Sequence, residues 1–161
     1  MAIWQFVLDL VPVSAAKVAG VPAARMSSDQ LDEMHLDFSE TDTEKLISHL
    51  SSILPEKTSW SPAIRIWGDE ETDDIQVGLN GETIEDVRFR LNVADLKLPL
   101  IGGICILARQ FDCCFATPDG AIVQPNREAV VRLLLQSRAM KFLRDPQRFL
   151  ADAIRLDKTD S

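Results

Sequence analysis

Asp86-Val87-Arg88-Phe89-Arg90-Leu91-Asn92-Val93 alternates without a break. Val87, Phe89, Leu91 and Val93 point one way, and Asp86, Arg88, Arg90 and Asn92 point the other. A period of two over eight residues predicts a strand with one buried and one wet face, the signature of an antiparallel sheet. Upstream, Ile75, Val77 and Leu79 repeat the same alternation, and Asn80-Gly81 between the two runs is a strong hairpin signal. The faces do not match at once. A two-residue turn on Asn80-Gly81 would pair Val77 with Ile84 and Asp74 with Val87, which puts Ile75 and Val87 on opposite faces. One extra residue resolves the conflict. It implies either a three-residue loop with Gly81 left-handed or a bulge near Glu85.

Residues 60–67 complete a three-stranded meander. Trp60, Pro62, Ile64 and Ile66 share one face, and Ala63, Arg65 and Trp67 share the other. Pro62 cannot donate to a ladder, so the strand lies at an edge there or begins after it. On this reading Trp60 belongs to the core with Ile64 and Ile66. Trp67 faces outward with Arg65.

Helices flank the meander. Thr41-Asp42-Thr43-Glu44 reads as a capping box, and Leu46, Ile47, Leu50, Ile53 and Leu54 follow at helical spacing until Pro55. Residues 96–111 form an apolar helix on Leu100, Ile104, Leu107, Ala108 and Phe111. Gly102-Gly103 costs that helix about 1 kcal/mol per glycine, which close approach to a neighbouring element would offset. A short strand over Cys113–Thr117, a turn at Pro118-Asp119-Gly120 and a returning strand over Ala121–Val123 come next. Asn126 caps a helix expected to reach about Phe142, with Val130, Leu133 and Leu134 on its face. Asp145-Pro146 starts a last helix on Phe149, Leu150 and Ile154. Lys158–Ser161 should fray.

At the other end, Ile3–Val11 reads as a covered strand. Residues 12–40 lack periodicity and read as a long irregular connection holding an unrecognised element. The sum is a single α+β domain over residues 1–161, an antiparallel sheet of five to six strands with helices packed mainly on one face.

Composition narrows the function. The 161 residues are 46% apolar and 26% charged, a globular balance, and the net charge is −8. That excess of acid argues against general nucleic-acid binding, which needs a basic stripe, and against attraction to anionic lipid. The apolar run Leu98–Ala108 is too short for a bilayer, which takes about 20 residues. The N-terminus lacks the basic region of a secretory signal, so a mature cytoplasmic protein is expected. Cys105, Cys113 and Cys114 are odd in number and two are adjacent, which suits reduced packing residues better than a disulfide framework.

No motif names a chemistry. His35 and His49 have no partner at metal-ligand spacing. There is no phosphate-binding glycine loop and no Gly-x-Ser-x-Gly elbow. No catalytic residue, cofactor or metal is therefore expected, and an enzyme built on carboxylates is the weakest of the alternatives.

The charge is uneven. Residues 1–28 carry +1, residues 29–86 carry −13 and residues 87–161 carry +4, which together give the net −8. Two runs without Lys or Arg stand out: Asp29–Glu44 with seven acids and Asp69–Asp86 with eight. Asp69, Glu70, Glu71, Asp73 and Asp74 form the densest cluster, in a loop between strands. With Trp67 as an anchor beside it, this loop is the expected binding site for a protein partner with a basic surface. A calcium loop would need the glycine and terminal glutamate of a helix-loop-helix site. Solvation of the loop alone is the simplest alternative.

The run Leu134-Leu135-Gln136-Ser137-Arg138-Ala139-Met140-Lys141-Phe142-Leu143-Arg144-Asp145-Pro146 resembles small bacterial proteins of the toxin-immunity type. So does the strand Ile84–Arg90 followed by an apolar helix and Phe111-Asp112-Cys113. The resemblance spans roughly residues 60 to 150 as a pattern of elements. It carries no catalytic residues, and it implies a non-enzymatic inhibitor that blocks a basic toxin surface. A structural or adaptor homodimer is the alternative.

Overall fold

The computed structural model describes residues 5–137. Its elements run β1 (Gln5–Pro12), β2 (Lys17–Val18), β3 (Val21–Pro22), α1 (Ser28–Asp32), α2 (Glu40–Ile53), β4 (Glu56–Lys57), β5 (Ile64–Gly68), β6 (Asp74–Asn80), β7 (Thr83–Asn92), α3 (Leu98–Gln110), β8 (Cys113–Ala116), β9 (Ile122–Val123) and α4 (Arg127–Gln136). The main sheet is antiparallel in the order β4-β5-β6-β7-β1-β8-β9, and β2-β3 is a separate hairpin. The class is α+β, but seven strands exceed the expected five to six. Beyond the six strands read from sequence the main sheet gains only β4, and β2 and β3 make the separate hairpin; all three are two-residue pieces, too short to show a period in sequence.

Hairpin β6–β7 resolves the face conflict through a bulge. Asn80 pairs with Thr83 across a turn at Gly81-Glu82, and Leu79 pairs with Ile84, but Gly78 pairs with Asp86. Glu85 is the extra residue. Gly81 adopts φ +65°, a region that costs a residue with a side chain. Beyond the bulge, Val77 meets Val87 and Ile75 meets Phe89, so the apolar residues share a face.

That face carries the core. Leu8 and Leu10 of β1, Ile75 and Val77 of β6, and Val87, Phe89 and Leu91 of β7 pack beneath Leu46 and Leu50 of α2, Ile101, Ile104 and Leu107 of α3, and Val130 and Leu134 of α4. Each such buried side chain contributes about 1.5–3 kcal/mol. Phe89 and Phe115 meet edge to face at 5.7 Å. Gly102 and Gly103 permit close approach, as expected. A Cβ at Gly102 would lie 2.9 Å from the Arg127 guanidinium, and one at Gly103 would lie 3.3 Å from Ile53.

Two helix boundaries differ from expectation. α2 begins earlier, because Ser39 Oγ rather than Thr41 accepts the capping bond, from the Asp42 amide at 3.0 Å. α4 ends at Gln136, short of Phe142, where Ser137 Oγ donates to the Leu134 carbonyl at 2.8 Å. The predicted last helix at Asp145–Ile154 and the tail lie outside the described residues, as does most of the resemblance-bearing run. No described helix is long and apolar enough to cross a membrane.

The connection between β1 and α2 is not featureless. Hairpin β2–β3 and α1, capped by Ser27 in a box with Gln30, fold onto the second face of the sheet. There Val11, Ala16, Met26, Cys114 and Ala116 form a smaller apolar cluster. Gly120, at φ +94°, lets the Met26 carbonyl sit where a Cβ would be.

Cys105, Cys113 and Cys114 are buried and unbridged. Burial pushes the Cys113 thiol up to about 12 and the Cys114 thiol up to about 11. Thiol reagents need the thiolate, so labelling at neutral pH should be slow in the native protein and fast after unfolding. The sign on stability follows. Below the ordinary value of 9.0 the three thiols do not make stability pH-dependent, and above it the unfolded thiols ionise first. Stability then falls as pH rises through about 11 to 12. Rapid native labelling of two cysteines would contradict this packing.

Candidate functional site

The loop leading from β5 to β6 and the first residue of β6 hold every acid of the expected site, and most of them are structurally committed. Asp74 stands opposite Arg90 in the ladder. Its carboxylate accepts from Arg90 Nε at 2.7 Å and Nη2 at 2.6 Å, and from Gln76 Nε2 at 3.0 Å. Asp73 is buried too, accepting from the Asn92 amide at 2.7 Å and from Lys97 Nζ at 2.6 Å. These bonds raise the Arg90 and Lys97 pKa values by favouring the cations. Glu70 meets Lys57 at 2.9 Å. The Glu70 and Thr72 carbonyls accept from Gln5 Nε2 at 2.9 and 2.8 Å. Asp69 Oδ1 accepts from the Glu71 amide at 2.9 Å. The loop is therefore a clamp joining β1, β4, β7 and the lead into α3. Only Asp69 and Glu71 of the five are exposed.

Trp67 is not an exposed anchor. It is fully buried on the core face opposite Ile75, its Nε1 donating to Ser51 Oγ at 3.0 Å. The Arg65 guanidinium lies 5.2 Å from the ring centroid, held by Glu56 through bonds of 2.7 Å. Bonding to Arg65 lowers the Glu56 pKa. Trp60, expected in the core, is 63% exposed in the loop before β5. The parity of the strand was legible. Its direction was not, because Ile66 is buried on the opposite face as well.

The second acidic run splits along β6. Asp69–Asp73 precede that strand and Asp74 opens it, and Glu82, Glu85 and Asp86 follow it. Asp86, opposite Gly78, lies about 13 Å along the strand from Asp74, and Glu82, past Asn80, about 20 Å. The first acidic run, residues 29–44, joins the second group at the hairpin end, where two grooves open. One, about 380 Å³, has Asp9, Asp32, Glu85 and Asp86 around Val11, Leu31 and Met34. Arg88 lies within it, tied to Asp9 at 2.8 Å. The other, about 680 Å³, lies between α2 and the hairpin turn. Glu40, Glu44 and Glu82 stand around Phe38, Ile47 and Leu79. Trp60 belongs to the same end of the sheet, since β5 begins there with Ile64 opposite Gly78.

The structure buries Trp67 and commits Asp73 and Asp74 to internal ion pairs, and the sequence reading gave no weight to the acids at the other end of β6. Glu82, Glu85 and Asp86 belonged to the run already noted. The usable signal was their position beyond the hairpin, opposite the loop in space.

Among the described residues no group of three or more His, Cys, Asp or Glu side chains stands close enough to hold a metal. His49 Nδ1 lies 2.9 Å from Gln110 Oε1, bracing α2 against α3. No family model, curated protein or solved structure matches this chain.

Proposed function

We propose that this chain is a non-enzymatic, cytoplasmic protein-binding module whose partner presents a basic surface at the hairpin end of the sheet. An immunity-type inhibitor that covers a basic toxin surface is the form of this reading that the sequence resemblance suggests. One observation carries it. Exposed carboxylates from both acidic runs, Asp32, Glu40, Glu44, Glu82, Glu85 and Asp86, gather around two grooves with apolar walls. None of the six has a salt bridge to another described residue. Such a field speeds encounter with a cation-rich surface, and the apolar walls supply the contact area that charge alone does not.

The test is a pull-down from the host followed by association kinetics. Replacing Asp32 with Asn and Glu40, Glu44, Glu82 and Glu85 with Gln should slow association about tenfold or more at low salt and flatten its salt dependence. Asp69→Asn with Glu71→Gln, at the far end of β6, should change the rate far less. Equal loss per charge removed in both variants would mean that net charge, not this surface, governs binding. No loss from either would sink the proposal.

A further inference from the structure

We propose that the groove between α2 and the β6–β7 turn receives an amphipathic basic helix of the partner, an occupant that presupposes the basic-partner reading above. Phe38, Ile47 and Leu79 form its half-buried apolar floor, packed against the core from below. Glu40, Glu44 and Ile47 follow one another along one stripe of α2, so acid and floor alternate along the same wall. Glu82 stands on the opposite wall at the turn. Among the described residues the one cation lining the groove, Arg65, is already paired with Glu56. An incoming Lys or Arg therefore meets three uncompensated carboxylates above an apolar surface.

The backbone decides the occupant's shape. The Leu79 amide donates to the Ala63 carbonyl at 2.7 Å, Asn80 pairs with Thr83, and α2 beyond its first turn bonds its amides internally. Among the described residues, neither the β6–β7 hairpin wall nor α2 beyond its first turn offers an open ladder to the groove. An extended peptide would bury its main chain there without partners. A helix brings its backbone already bonded and offers only side chains, the arrangement of helix-in-groove recognition. A second copy of this chain docked through the same surface would bring the same three acids and be repelled. That sets the homodimer reading aside at this surface.

The probe is a synthetic helix of about 18 residues, some five turns. Leu at i, i+3, i+4 and i+7 forms one face and Lys the other, and a scrambled peptide of identical composition is the comparison. Both are titrated into the full chain while methyl signals are followed by NMR. The amphipathic peptide should bind about tenfold or more tightly than the scrambled one, shifting Ile47 and Leu79 while Val18 and Val21 stay still. Joint replacement of Glu40, Glu44 and Glu82 by Gln should weaken it about tenfold or more. These acids are exposed, so the variant keeps its fold. If both peptides bind alike and both weaken in the Gln variant, the helix proposal falls and the basic-partner reading stands. If the Gln variant binds as tightly as the parent, both fall. Failure of the amphipathic peptide to bind overturns the groove.

Discussion

Asp74→Ala should destabilise the protein by about 3–5 kcal/mol, read as a lowered denaturation midpoint with an unchanged slope. Asp74 has no exposed side-chain surface, and Arg90 retains only 16%. Removing the carboxylate strands a guanidinium that has little water to replace its two bonds of 2.7 and 2.6 Å. The cost is thus a desolvated charge left alone, not the worth of the pair. The joint change Asp74→Leu with Arg90→Met separates these. It removes both charges, and its cost should be far below that of the single change, near neutral if the leucine and methionine pack. A single-variant cost below about 1 kcal/mol would show that Arg90 finds another partner or water. The loop would then not be the clamp described here. The pair also explains the density of acid before β6. Charge that looks available for a partner is consumed by Arg90, Lys97 and Lys57.

Those pairings mark where sequence stopped being informative. The β7 alternation and the clash of faces with β6 were both visible in order along the chain, so parity required one extra residue, in a three-residue loop or a bulge near Glu85, and the structure takes the bulge. Arg90 is 16 residues from Asp74, and Lys97 is 24 from Asp73. Nothing local ties either pair together. The same holds for the connection after β1. Met26 belongs to a cluster with Cys114 and Ala116 and bonds to Gly120, contacts that leave no period in the sequence. Strand β4, only Glu56-Lys57, exists because β5 offers it an edge at Ile66 and Trp67. The acidic runs were plain to see. That β6 would carry one half of the second run away from the other required the fold.

Trp67→Ala and Trp60→Ala should have opposite consequences, and the contrast tests fold and site together. Trp67 is fully buried against Ile75, capped by the Arg65 guanidinium at 5.2 Å. Truncation leaves a large void in a layer already filled by α2 and β6, and should cost about 3–5 kcal/mol. Its lost bond to Ser51 adds little, because Ser51 is exposed and can turn to water. Trp60 is 63% exposed and outside the core. Trp60→Ala should shift stability by no more than about 0.5 kcal/mol. Its effect should appear in partner affinity instead. A large exposed ring beside an acidic surface suits a hot spot, whose loss costs about 2 kcal/mol or more of binding through a faster off-rate. Charge neutralisation at the hairpin end should act mainly on the on-rate, so the two kinds of variant are separable in one kinetic experiment. A stable Trp67→Ala would contradict the burial of β5's tryptophan. Unchanged dissociation in Trp60→Ala would confine the partner's footprint to the two grooves and leave the loop before β5 outside it.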